Sequence, residues 1–156
     1  MFCIIIGSLY CVHIFEVNGG FYSFFVYVLY FDYIINIAMI VSDPCDVPLG
    51  MEDGRVTKGM LTASSMYNHY YGPWSARLQA RNYGSLRGGW IAKYRNTHQW
   101  LQIDLGILSR VKRIATQGRY DANQWVKSYT VSYSNNGARF YPVKQGRNVK
   151  VLDFNI

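Results

Sequence analysis

From residue 45 onward the apolar and polar positions alternate in short runs, and turn residues break the runs. Trp100-Leu101-Gln102-Ile103-Asp104-Leu105 places Leu101, Ile103 and Leu105 on one face. Trp100, Gln102 and Asp104 lie on the other, a period of two that predicts a half-buried strand. Gly106 is expected to end it. A second strand is expected over 111–117, with Val111 and Ile114 as core candidates. The strongest spans Val126–Tyr133, where Lys127, Tyr129, Val131 and Tyr133 alternate with Ser128, Thr130 and Ser132. Ser134-Asn135-Asn136-Gly137 then predicts a hairpin turn, because Asn-Gly tolerates positive φ. Residues 139–144 return, Gly146 turns again, and 149–154 starts a last strand. No useful length of helical periodicity, internal repeat or low-complexity tract occurs. The pattern is that of an all-β sandwich or barrel.

Three turn-rich stretches interrupt the strands. The first, Thr62 to Trp74, carries Tyr67, Tyr70, Tyr71 and Trp74 around a Gly72-Pro73 break. So many large rings in a loop cannot all point into a core, and exposed rings mark a contact surface. Asn82 to Gly89 is the second and carries Tyr83 and Arg87. The third, Gly118 to Trp125, carries Tyr120 and Asp121.

Residues 1–44 read differently. They form an apolar leader with no Lys or Arg, and 21–41 is a 21-residue run broken only by Ser23, Asp32 and Asn36. That length suits a membrane span. Three readings stand: a signal peptide or signal anchor, a transmembrane helix, or an artefact of the gene model. Asp32 and the missing basic start weigh against the first two. Ser42-Asp43-Pro44 is the expected linker, and 45–156 the folded domain.

Charge sharpens the contrast. The 156 residues hold 16 Lys and Arg against 9 Asp and Glu. All 16 cations lie between Arg55 and Lys150, and residues 45–156 hold six acids, so that segment carries 16 − 6 = +10. Such a charge favours anionic lipid, sulfated glycan, acidic protein or nucleic acid. Of the cysteines Cys3, Cys11 and Cys45, none has zinc-site spacing. Cys45 alone lies in the domain, which suggests an absent partner or a reactive thiol.

Catalytic readings are weak. Ser64 or Ser65 with His69 lacks an orienting acid and a nucleophile elbow. Arg77 and Asp104 fit a structural pair or network better than chemistry. Trp90 and Trp100 are expected to pack, and His98 to lie on the surface. No enzyme activity is expected.

Several motifs occur in order: Cys45 with Pro48-Leu49-Gly50-Met51-Glu52-Asp53-Gly54, Thr62-Ala63-Ser64-Ser65, Ala76-Arg77-Leu78, Trp100-Leu101-Gln102-Ile103-Asp104-Leu105-Gly106, Thr116-Gln117-Gly118-Arg119 and Val126-Lys127-Ser128-Tyr129. Together, from Cys45 to about Phe154, they resemble the discoidin domain, also called the coagulation factor five/eight type C domain. The resemblance implies an eight-stranded antiparallel jelly-roll β-sandwich whose loops, or spikes, bind ligands at one end. The spikes would be 65–74, 79–89 and 119–125. In the coagulation cofactors, adjacent aromatics on the first spike enter phosphatidylserine membranes, and Tyr70 and Tyr71 stand at that place. Tyrosine suits the wet interface of a membrane, which predicts shallow insertion.

The resemblance also implies a disulfide between terminal strands. Cys45 would supply one half, and the chain stops at Ile156 before the closing strands and the second cysteine. An incomplete jelly-roll with an open strand edge is the expectation. Neuropilin-like members hold a C-terminal arginine with an acid where Arg95 stands here. That ligand is therefore disfavoured, although Tyr67 matches an aromatic of the same pocket. The expected function is an extracellular adhesion or recognition module. Its ligands would be anionic phospholipid, glycan or matrix protein, bound through Tyr67, Tyr70, Tyr71, Trp74, Tyr83, Arg87, Tyr120 and Asp121. No cofactor is expected, and calcium dependence is not legible. The alternatives are a basic nucleic-acid binder, which the extracellular character opposes, and an inactive fragment.

Overall fold

The computed structural model describes residues 48–82, 84 and 87–153, apart from the side chains of 108, 110, 112 and 113. It also describes the backbone of four N-terminal strands. These are β1 (Phe2–Cys3), β2 (Ser8–Glu16), β3 (Ser23–Phe24) and β4 (Tyr27–Tyr30). The remaining strands are β5 (Leu61–Ala63), β6 (Trp90–Ile91), β7 (Trp100–Ala115) and β8 (Ser128–Ser134). After them come β9 (Tyr141–Pro142), β10 (Lys144–Gln145), β11 (Asn148–Val149) and β12 (Val151–Asp153).

The main sheet runs in the order β1-β7-β2-β8-β12, with β4 and β5 also pairing with β7 and β9 with β8. Its pairings are antiparallel. Two small antiparallel pairs, β10–β11 and β3–β6, complete the described strands. Helical turns among the described residues are single 3-10 turns at Lys58–Met60, His69–Tyr71 and Pro73–Ser75. The all-β antiparallel expectation holds.

The core follows the alternation. Leu101, Ile103 and Leu105 are buried with Val111, Ile114, Val126, Tyr129, Val131 and Leu152, while Asp104 is exposed. Met51, Val56, Leu61 and Trp90 pack into the same cluster. Fully burying an aliphatic side chain of this kind contributes about 1.5–3 kcal/mol.

One expectation needs correction. Gly106 does not end its strand: β7 is continuous from Trp100 to Ala115. Gly106 instead sits at φ +69, and the β2 register shifts there, Cys11 facing Asp104 while Leu9 faces Ser109. Extra residues are accommodated as an irregularity within one strand, a task for a residue with no Cβ. Strand β8 carries buried residues on both faces. Ser128, Ser132 and Ser134 are as deeply covered as Tyr129 and Val131, and the main chain of β8 pairs on both edges, with β2 on one side and β9 and β12 on the other.

The chain reverses at the expected place, but through the wider connection 135–140 between β8 and β9, with Tyr133 facing Tyr141, and not through a two-residue Asn-Gly turn. Gly137 has φ +69, and Asn136 Oδ1 accepts the amides of Ala138 and Arg139 at 3.0 and 3.1 Å. Cys45 lies outside the described residues. Within 21–41, Ser23–Phe24 and Tyr27–Tyr30 are strands, and the rest lies outside the described residues. No helix among the described residues is long and apolar enough to cross a membrane.

Candidate functional site

The first spike starts from a rigid base. Ser64 and Ser65 hydroxyls both donate to Gln99 Oε1, at 2.9 and 2.5 Å. They in turn accept the amides of Trp100 and Lys93, each at 3.0 Å. Trp90 Nε1 donates to the Ser65 carbonyl at 2.8 Å. These serines are therefore committed to holding the loop, while His69 stacks on Tyr70, ring centroids 3.8 Å apart. Arg77 fastens the other end: its guanidinium donates to the carbonyls of Trp74, Met51 and Val56 at 3.1, 2.9 and 2.8 Å. Burial pulls its pKa below the ordinary arginine value, with the Asp53 charge opposing. Asp104 is not its partner; that carboxylate accepts the Gly106 amide at 2.8 Å.

At the tip, Asn68 caps a single 3-10 turn by accepting the Tyr70 amide at 3.0 Å. Adjacent side chains on such a turn diverge by about 120°, so Tyr70 and Tyr71 cannot act as a parallel pair. Tyr70 is 38% exposed. Tyr71 turns inward and is half-buried; its hydroxyl accepts from Arg119 Nη2 at 3.0 Å. Tyr67, 57% exposed, contacts it edge-on at 6.2 Å. Trp74 folds back over Gly72, where a Cβ would sit 2.3 Å from its ring. The Lys58 ammonium lies 4.1 Å from the Trp74 ring centroid. Trp74 thus caps the loop instead of projecting from it.

The other two spikes close against the first. The Arg87 amide donates to the Tyr70 carbonyl at 3.1 Å, linking spikes two and one. Asn82 donates to Asp121 Oδ2 at 2.8 Å and accepts the Gly88 amide at 2.9 Å, linking spikes two and three. Arg119 joins three and one. It pairs with Asp121 through Nε and again through Nη2, and donates to Gln124 at 2.9 Å. The Arg119 and Asp121 side chains are 15% and 27% exposed. The Arg119 hydrogen bond holds the Asp121 carboxyl below its usual range, and Asn82 adds to this. For Arg119, burial works to lower the pKa, but Asp121 and Tyr71 outweigh it and the net shift is upward.

Tyr120 is 56% exposed with the Arg81 guanidinium 5.3 Å above its ring. A cleft of about 180 Å³, lined by Tyr67, Tyr71, Ile91, Arg119 and Gln124, opens between the first and third spikes. Of the sequence-derived candidates, the structure gathers Tyr67, Tyr70, Tyr71, Trp74, Arg87, Tyr120 and Asp121 at this end. Tyr83 lies outside the described residues. The pattern alone missed Arg119, Gln124 and Ile91 as cleft residues. Arg119 was visible as part of the Thr116–Arg119 motif, but nothing in its neighbours shows that its side chain crosses to the first spike. Among the described residues no cluster of His, Cys, Asp or Glu could hold a metal ion.

An antiparallel β fold with its loops knitted into one aromatic and basic end is a binding-module architecture. The family model for the F5/8 type C domain matches residues 60–155, and the chain belongs to that family, whose members are binding modules and not catalysts. It is 38% identical to mouse coagulation factor V over 104 residues, 65% of this chain and 5% of that protein. It is 40% identical to mouse retinoschisin over 92 residues, 58% of this chain and 41% of that protein. Human neuropilin-2 is 34% identical over 127 residues, 79% of this chain and 13% of that protein. The chain therefore spans less than half the length of these relatives. No solved structure matches it.

Proposed function

We propose that this chain is an extracellular recognition module that holds an anionic surface with its loop end, anionic phospholipid being the first candidate. One observation supports this above the others. The Arg119–Asp121–Asn82 and Arg119–Tyr71 bonds tie three loops together and leave Tyr67, Tyr70 and Tyr120 outward beside exposed Arg81 and Arg87. Rings that are exposed yet held by a rigid base lose little entropy on docking. Neighbouring cations add about 1 kcal/mol each near an anionic membrane. Asp121 serves this reading as a brace between loops, not as a ligand group, and Tyr71 and Trp74 as supports. Family membership and similarity to coagulation factor V and retinoschisin agree with a secreted or cell-surface setting.

Co-sedimentation of the full chain with phosphatidylserine vesicles tests it. Tyr67→Ala with Tyr70→Ala is expected to weaken binding strongly, and Arg87→Ala to weaken it about fivefold, corresponding to about 1 kcal/mol. Tyr141→Ala, an exposed tyrosine on β9, serves as the control. Equal loss in all three variants, or none in the first, refutes the assignment.

A further inference from the structure

Strand β2 lies within the sheet, not at its edge. Cys11 to Phe15 faces Asp104 to Trp100 of β7 without a break. The same five residues face Ser134 to Thr130 of β8, and Glu16 continues onto Tyr129. In the strand order β7 and β8 are separated by β2, so two strand spacings, about 10 Å, divide them. Their facing N–H and C=O groups can meet partners only through an intervening strand. The strands that β2 joins carry the centre of the core: Leu101, Ile103 and Val131 are all but inaccessible to solvent.

The segment suits this place. Leu9-Tyr10-Cys11-Val12-His13-Ile14-Phe15 is rich in β-branched and aromatic residues and has no Gly, Pro, Lys or Arg. A short run of this composition favours an extended strand, and the pairing on its two edges comes from the registers with β7 and β8. β1 supports the same reading, since Phe2 and Cys3 pair with Ile114 and Arg113 farther along β7.

We infer that residues 8–16 are a cis donor strand of this domain: they fill a slot between β7 and β8 by main-chain pairing, and the folded unit includes them. The slot recognises an extended apolar segment through backbone hydrogen bonds, and its occupant is this chain's own N-terminal strand. The two halves of the sheet are continuous only while that strand is in place.

Cys11 supplies a probe. It is the register partner of Asp104, whose side chain is exposed. Paired residues on antiparallel strands have Cα atoms about 4.5–5.5 Å apart, within disulfide range. The test uses the full chain carrying Asp104→Cys with Cys3→Ser and Cys45→Ser. Mild oxidation is expected to give a monomer with an internal bond between position 104 and Cys11, identified by peptide mapping without reduction. Tyr94→Cys in the same background is expected to give none. A bond between two copies, or an unbonded pair in a folded chain, overturns the inference. Hydrogen exchange on the unsubstituted chain gives a second reading independent of that variant's folding. Amides of 11–15 are expected to be protected as strongly as those of 101–103, and exchange at the free-peptide rate refutes the donor strand.

Discussion

Arg119 is the residue on which the loop end converges. Its planar fork meets Asp121 twice, Gln124 once and the Tyr71 hydroxyl once. Only a guanidinium offers that many donors in fixed directions. The partner carboxylate carries a testable consequence. Asp121 has its folded-state pKa held below the ordinary 3.8, so the stability it contributes is complete above about pH 4, its unfolded value. That contribution is lost as the pH falls through the lower folded value. Asp53, lowered chiefly by the Arg55 amide, shifts in the same direction from a fully exposed position, so a single curve does not isolate Asp121. Urea midpoints for the parent and for Asp121→Asn, compared from neutral pH downward, do. The parent is expected to be the more stable at neutral pH, and the gap to narrow below about pH 4. Curves that stay parallel throughout would exclude the Arg119 pairing as a contributor.

At the scale of elements, the long strand β7 does most of the assembling, because β1, β2, β4 and β5 all pair with it. It can do so only by passing through Gly106 without breaking. The left-handed φ of +69 there costs an L-residue about 1–2 kcal/mol. The space is open: a Cβ would meet Met60 Cε at 3.5 Å. Gly106→Ala should therefore destabilise by about 1–2 kcal/mol through backbone strain alone. A denaturant midpoint shift with unchanged m-value is the expected readout. No shift would mean that the register irregularity lies elsewhere. The first spike shows a similar dependence on one small residue. Gly72 leaves the room in which the Trp74 ring lies, and that stacking turns the tryptophan from a fingertip into a cap.

For the whole molecule, charge and aromatic display act on different ranges. The segment 45–156 carries +10, a field that attracts anions from a distance and weakens as salt shortens the screening length from about 10 Å at 0.1 M to about 3 Å at 1 M. Under the proposed function, ring insertion at the tips would be short-range and would survive salt. Binding to phosphatidylserine vesicles should therefore fall steeply as salt rises through this range while a residual affinity remains. The Tyr67→Ala and Tyr70→Ala pair should lose that residue. Binding that vanishes entirely with salt in the parent would mark a purely electrostatic contact.

The amino-acid order by itself determined the all-β class, the inward set Leu101, Ile103, Leu105, Val111 and Ile114, the chain reversal around Asn136-Gly137, the family and the three loops. Each of these is written in local spacing: a period of two, a residue that tolerates positive φ, or a short motif in register. The tertiary structure decided what local spacing cannot encode. It split Tyr70 from Tyr71, because a 3-10 turn rotates neighbours apart and only a distant Arg119 shows which ring is held inward. It carried β7 through Gly106 and buried both faces of β8. It also seated Ser8–Glu16 between β7 and β8, since an apolar run reads alike as leader, span or enclosed strand until the two edges that need it are brought to either side.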